Sequence, residues 1–380
     1  GTNGKGSVCA YLDGMLRSEQ KRTGLFTSPH LVKINERIVI DGKMISDEQF
    51  LEVFEETMGA VREMETEGFS HPTFFEFLFG MAMLAFAKNG AEYAVLETGL
   101  GGRLDATNAV ESPAASVITS IGLDHEQYLG DTLAKIAFEK AGIIKPHVPV
   151  YYAQTSEESD TVIEKEAEKC GSSCKKIGKD AYEILGIKDK HIAFSCLNDY
   201  YGTTTWKLNN IGLYQPHNAL LAMEVMRGLF GEDGHPKRWQ GRMEEVLPGV
   251  YVDGAHNISA VEAFAETARK AGRTDAILFS AVQDKDYEEM IKYLCRHTDA
   301  ACYIVTQIED ARGTRAEKLG ELFRKYTDKP VHEIRSVRDA FAYAAGQKRD
   351  GNVYCLGSLY LTGMIEGYLK QKTIQDWGGK

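Results

Sequence analysis

The chain has 380 residues, with 44 basic against 55 acidic side chains and a net charge of −11. That balance argues against a broad nucleic-acid or anionic-membrane surface, so an anionic ligand has to be held by a local site. The length suits two domains, or three. No apolar run of about 18 residues marks a membrane span, and the polar, glycine-rich start is unlike a signal peptide. A cytoplasmic protein is expected, with neither nucleic acid nor membrane as a partner. The seven cysteines are odd in number and widely spread. They read as reduced thiols, because Cys170-Gly-Ser-Ser-Cys174 has no second pair or histidine cluster to complete a zinc site.

The first stretch, GTNGKGSV, has little to offer a core. Its glycines let backbone amides approach an anion, Lys5 can reach outer phosphates, and Ser7 can bond phosphate or metal. The residues VCAYLDGMLRSEQ then predict a helix whose N-terminal dipole completes the cradle. The match is a variant of the G-K-[ST] loop, since Gly6 stands between Lys5 and Ser7, and a plain glycine-rich turn stays open as the alternative. A phosphate loop follows a buried strand, so an upstream segment carrying that strand is expected.

TGLFTSPHLVKINERIVIDG reads as a polar loop with Ser28, Pro29 and His30, followed by a strand-like run. PTFFEFLFGMAMLAFAKNG carries a helical pattern, and YAVLETGL an apolar strand ending at Glu97. Ligands of open α/β sheets sit beyond the carboxyl ends of strands, where a phosphate-bound Mg²⁺ needs a carboxylate. The same logic has SVITSIGLDHEQYLG predict a second strand ending at Asp124 and His125. DTLAKIAFEKAGIIKP predicts an amphipathic helix ending at Gly142, where Lys140 reads physically as a cation complementing the helix dipole. After QPHNALLAMEVMRGLF comes the polar GEDGHPKRWQG, and the alternation restarts with GVYVDGAHN, TDAILFSAV, AACYIVTQI and NVYCLGSLYL. The class is therefore α/β with parallel strands, in two domains, 1–236 and 237–380.

Taken together, GTNGKGSV, TGLFTSPHL, ETGLGGRLDATN, LDHEQYLG, EKAGI, QPHNALLA, WQGRM and DGAHN, in that order, resemble the folylpolyglutamate synthase and dihydrofolate synthase family of Mur ligases. The resemblance implies a P-loop NTPase-like central domain and a smaller Rossmann-like C-terminal domain that binds the amino acid. It implies that Gly4, Lys5, Gly6 and Ser7 hold ATP phosphates, and that Asn218, Arg242, Asp253 and the neighbouring His256 contact ATP, sandwiched between the domains. Two Mg²⁺ ions are implied, one on Ser28 and Glu97, the other on His125 and Lys140. Lys140 would carry a carbamate, which reverses its bland reading, and Lys5, Lys140 and His125 would be the catalytic set. Thr73, Phe74, Phe75 and Glu76, with Leu104, Asp105 and Ala106, match positions that contact the pterin-bearing substrate, although the phenylalanines could equally be core. The implied activity is ATP-dependent addition of L-glutamate to a reduced folate or dihydropteroate, by a monomer. Two rivals are a peptidoglycan-precursor Mur ligase, against which TSPHLVKINERI and ETGLGGRLDATN argue, and a nucleotide-binding regulator without catalysis. Retention of Lys5, Glu97, His125 and Lys140 together argues against the second.

Overall fold

The computed structural model describes residues 1–188, 191–196, 205–209, 211–231, 243–283, 285–308 and 312–377. The described residues form two compact units. The first holds residues 1–184, 194–196, 205–206 and 216–231; the second holds 185–188, 191–193, 207–209, 211–215 and everything from 243 onward. The expected boundary at 236/237, the linker 232–241 and Arg242 lie outside the described residues.

In the first unit the chain runs α1 (Lys5–Ser18), β1 (Thr23–Phe26), β2 (Ile38–Ile40), β3 (Lys43–Met44), α2 (Asp47–Thr66), α3 (Phe74–Lys88) and β4 (Tyr93–Leu96). It continues with β5 (Ser116–Ile118), α4 (Glu126–Leu129), α5 (Leu133–Ala141), β6 (Val150–Ala153), α6 (Glu157–Lys169) and β7 (Cys174–Ile177). One sheet has the order β3-β2-β1-β4, another β5-β6-β7. β1 pairs parallel to β4 with Phe26 opposite Leu96, and β5, β6 and β7 are parallel throughout. Strands β8 (Tyr182–Lys188), β9 (His191–Cys196) and β10 (Thr205–Leu208) make a third sheet, before α7 (Gln215–Phe230).

Two expectations change here. The residues Thr23–Phe26, which the sequence presents as the start of a polar loop, are a strand buried at all four positions. And β5 stops at Ile118, six residues short of Asp124. The backbone beyond it turns instead to the opening loop. Thr2 N–H donates to Ser120 O at 2.6 Å, and Thr2 Oγ1 both donates to Gly122 O and accepts from Gly122 N–H at 2.9 Å. Peptide groups committed to that loop cannot also extend a ladder.

The second unit contains β11 (Glu244–Leu247), β12 (Val250–Val252), α8 (Ile258–Lys270), β13 (Thr274–Phe279), α9 (Tyr287–His297) and β14 (Ala300–Val305). Then come α10 (Ala316–Tyr326), β15 (Val331–Glu333), α11 (Val337–Gly346), β16 (Asn352–Leu356) and α12 (Leu359–Trp377). Its sheet order is β11-β12-β16-β13-β14-β15, parallel except at β11. The two-residue strand period decides its layers: Ile277 and Phe279 of β13 pack with α8, α9 and α10, while Ala276 and Leu278 pack with α11 and α12. Both faces are covered, so residues 276–279 of β13 are apolar in succession, not alternating, and each large side chain so buried contributes roughly 1.5–3 kcal/mol. The α/β class read from the alternation is the class both units have. Among the described residues no helix is long and apolar enough to cross a membrane, and all seven cysteines are free thiols.

Candidate functional site

The opening loop ends at Gly4, which caps α1 at φ 87°, in the left-handed region open to glycine. A Cβ there would also collide with Asn218 Oδ1 of α7. Gly4→Ala should therefore lose about 1–2 kcal/mol from backbone conformation alone. It should lower both the melting midpoint and the affinity for a nucleotide triphosphate analogue, measured by calorimetry. Lys5 and Gly6 open the helix, and Ser7 is 1% exposed. Asn218, at 9% exposure, sits against this loop.

Ser28 and Glu97 follow the carboxyl ends of the paired strands β1 and β4. Glu97 N–H donates to Phe26 O at 2.9 Å, extending the ladder by one rung, and the buried Glu97 carboxylate accepts the Ser28 N–H at 3.0 Å through Oε2. Parallel register thus brings Ser28 beside a buried carboxylate, joined to it through the backbone N–H.

Lys140 lies in the last turn of α5 and is 6% exposed, so it is not a solvated helix-end cation. Burial pushes its ammonium down to about 7, the charge of Lys5 adds to the fall, and Asp124 opposes it. Both lysines reach one carbonyl: Gly1 O accepts Lys140 Nζ at 3.1 Å and Lys5 Nζ at 3.4 Å. A cavity of about 180 Å³ has Lys5, Glu97, Thr98 and Lys140 in its wall; most of the remaining lining, from Val8 and Leu12 to Val225 and Leu229, is apolar. His125 starts α4 with φ 53°, half-exposed, its Nε2 3.8 Å from Asp124 Oδ2.

The residues expected to meet the pterin have structural duties as well. Thr73 and Glu76 form a capping box on α3: Thr73 N–H donates to Glu76 Oε2 at 2.7 Å, and Thr73 Oγ1 accepts Glu76 N–H at 3.3 Å. Phe74 is 61% exposed, whereas Phe75 packs on core Phe26 with ring centroids 5.5 Å apart. Asp105 caps the short 3-10 turn Ala106–Ala109 and accepts Leu100 N–H, while Leu104 stands 81% exposed. In the second unit, buried Asp253 accepts the Tyr214 hydroxyl at 2.6 Å and the N–H groups of Met243 and Ala255 at 2.8 Å, and His256 Nδ1 lies 2.7 Å from Gly254 O. What sequence reasoning missed is Glu36, whose carboxylate gathers the loop behind Ser28. Its position three residues past Lys33, opening the short turn Ile34–Arg37, was the available signal.

The chain matches the Mur ligase middle domain over residues 1–226 and the Mur ligase glutamate ligase domain over 241–358. A Bacillus subtilis relative, dihydrofolate synthase/folylpolyglutamate synthase, is 38% identical over 397 residues, spanning 97% of this chain and 89% of that one. The chain belongs to the folylpolyglutamate synthase/dihydrofolate synthase family of Mur ligases. Solved members of that family share the fold of this ligase. The Mycobacterium tuberculosis folylpolyglutamate synthase complexed with ADP and AMPPCP is 29% identical, with a TM-score of 0.86 over 97% of this chain and 89% of that one. The Escherichia coli FolC in complex with DHPP and ADP is 27% identical, with a TM-score of 0.82 over 98% and 87%.

Proposed function

We propose that Lys5, Ser28, Glu97 and Lys140, with the amides of the opening loop, form the phosphate end of a glutamate ligase site. The activity is ATP-dependent joining of L-glutamate to the carboxylate of a folate. The observation that carries the site is the convergence of Lys5, Glu97 and Lys140 on one cavity wall, with Ser28 bonded to Glu97.

The donor set fits Mg²⁺. Among the described residues no group of three His, Cys, Asp or Glu could cage a metal. One carboxylate and one hydroxyl are what a cation needs that keeps several waters and leans on substrate phosphates. Ser28 and Glu97 would hold it, and it would supply neutralisation of phosphate charge. A second ion on His125 and Lys140 fits only if Lys140 is carbamylated, because an ammonium repels a cation and a carbamate presents oxygen.

The residues then divide the work. The loop amides and Lys5 orient the triphosphate and offset negative charge as the folate carboxylate attacks the γ-phosphoryl group. The bond from the γ-phosphorus to its bridging oxygen breaks, ADP leaves, and an acylphosphate results. The amine of glutamate attacks its carbonyl carbon, the tetrahedral adduct collapses, and phosphate leaves as the amide forms. No protein nucleophile is required; positioning and fixed charge supply the rate. The Bacillus subtilis relative is named for both synthase activities, and on that ground the reading extends to dihydropteroate as well as reduced folates. The enzyme is read as cytoplasmic and as a monomer, and sedimentation tests the second.

The test offers dihydropteroate and tetrahydrofolate separately, with ATP, Mg²⁺ and labelled glutamate, to wild type, Glu97→Ala and His125→Ala. Both variants should melt cooperatively and need about tenfold or more Mg²⁺ for half-maximal ligation. A sharply lowered melting midpoint, with normal Mg²⁺ dependence in the protein that stays folded, would make that residue structural. Absence of glutamate incorporation with either acceptor would overturn the reading.

A further inference from the structure

Residues 28–33 form no regular element and none of them is buried, so packing does not fix this loop. Yet Ser28 within it has to present a hydroxyl beside Glu97. Hydrogen bonds supply the missing constraint. The Glu36 carboxylate accepts three consecutive backbone N–H groups: Leu31 on Oε2 at 2.7 Å, and Val32 and Lys33 on Oε1 at 3.0 and 2.9 Å. Bonds from amides to an ionised acceptor are roughly twice as strong as neutral ones, and three on one side chain leave the segment little freedom. Glu36 is itself anchored, because the short turn Ile34–Arg37 is tied on both sides. Asn35 Nδ2 donates to Ile45 O at 3.1 Å and to Asp47 Oδ1 at 3.0 Å, and Thr27 N–H donates to Arg37 O at 3.1 Å. A second strap runs from Arg37, 9% exposed, whose Nε donates to His30 Nδ1 at 3.0 Å and whose guanidinium lies 5.5 Å from the centre of the Phe74 ring.

We propose that Glu36 is a positioning residue for the ligation, holding the Leu31–Lys33 backbone so that Ser28 is presented correctly beside Glu97. This rests on the reading of Ser28 and Glu97 as the metal-holding pair. Glu36 acts through the loop and not on the reacting atoms. Its loss should therefore touch the metal requirement and leave the phosphate loop, residues 1–7, as it was.

The experiment measures three things on Glu36→Ala, Glu36→Gln and Ser28→Ala. These are the Mg²⁺ concentration for half-maximal ligation of glutamate to tetrahydrofolate, the metal-free affinity for ADP, and the melting midpoint. Glu36→Ala should raise the Mg²⁺ requirement about tenfold or more, as loss of a ligand-orienting partner does, with ADP affinity within twofold of wild type. Glu36→Gln keeps one acceptor oxygen for Val32 and Lys33 and should fall between. An unchanged Mg²⁺ requirement in Glu36→Ala, beside a raised one in Ser28→Ala, would overturn the positioning role while leaving the metal pair standing. If Ser28→Ala is also unchanged, the metal pair itself fails and the proposal with it. Amide exchange in the wild-type enzyme gives an answer independent of folding: Leu31, Val32 and Lys33 should be protected, and free exchange at all three would overturn the clamp.

Discussion

Lys5→Ala should lower ligation by about 10²–10³-fold, the loss of roughly 3–4 kcal/mol expected when one fixed group facing developing charge is removed. Lys5 is the first residue of α1, and its Nζ lies 3.4 Å from Gly1 O, over the opening loop at the helix N-terminus. In the ground state that loop and the helix dipole already attract a triphosphate, so ADP affinity should fall less than turnover. The fold should tolerate the change, because alanine is a better helix former than lysine and Lys5 belongs to none of the hydrophobic clusters. Single-turnover rates with tetrahydrofolate and glutamate check this. Retention of more than a tenth of wild-type turnover, with the melting midpoint unchanged, would remove Lys5 from the phosphate site.

How much of this could be read in the sequence depends on whether a residue's role is local or set by register. The run TDAILF announces a strand because burial on both faces makes residues 276–279 apolar in succession, whereas YAVL is apolar throughout although only its Val95 is buried. α5 could be read in the same way, from its apolar period and from Thr132 and Gly142 at its two ends. By contrast TGLF is four residues long, carries a threonine and a glycine, and shows no alternation; only its pairing with β2 and β4 makes it a strand. Asp124 and His125 looked like a strand end because Ile118 to Gly122 stays apolar enough, yet the peptide groups of Ser120 and Gly122 are spent on Thr2, some 120 positions away in the chain. Long-range pairing of that kind leaves no period behind. The capping box of Thr73 and Glu76 illustrates the converse. Their three-residue spacing is a helix-start signal in its own right, so a contact with substrate is an addition to that spacing, not its cause.

Lys140 is the residue for which sequence physics and structure point in opposite directions. A lysine in the last turn of a helix ordinarily faces water, but this one is buried beside Lys5, and two ammonium groups converge on one carbonyl oxygen. Burial first, and the Lys5 charge second, bring it down to about 7, so near neutral pH a large share of it is free amine. Free amine is the form that adds CO₂, and the resulting carbamate exchanges a cation the site disfavours for an anion beside Lys5. Modification should therefore grow as pH rises through about 7 with bicarbonate present, and shrink below it, where the ammonium persists. Mass spectrometry under native conditions, or ¹³C NMR with labelled bicarbonate, follows it directly. Lys140→Ala should lose about 10²-fold in turnover or more and recover part of it with formate or acetate, which can occupy the place of the carbamate. Lys140→Arg should not be rescued, since its cation stays. An active Lys140→Ala enzyme, together with no carbamate signal at pH 8 in saturating bicarbonate, would leave Lys140 as an unmodified buried lysine that the reaction does not need.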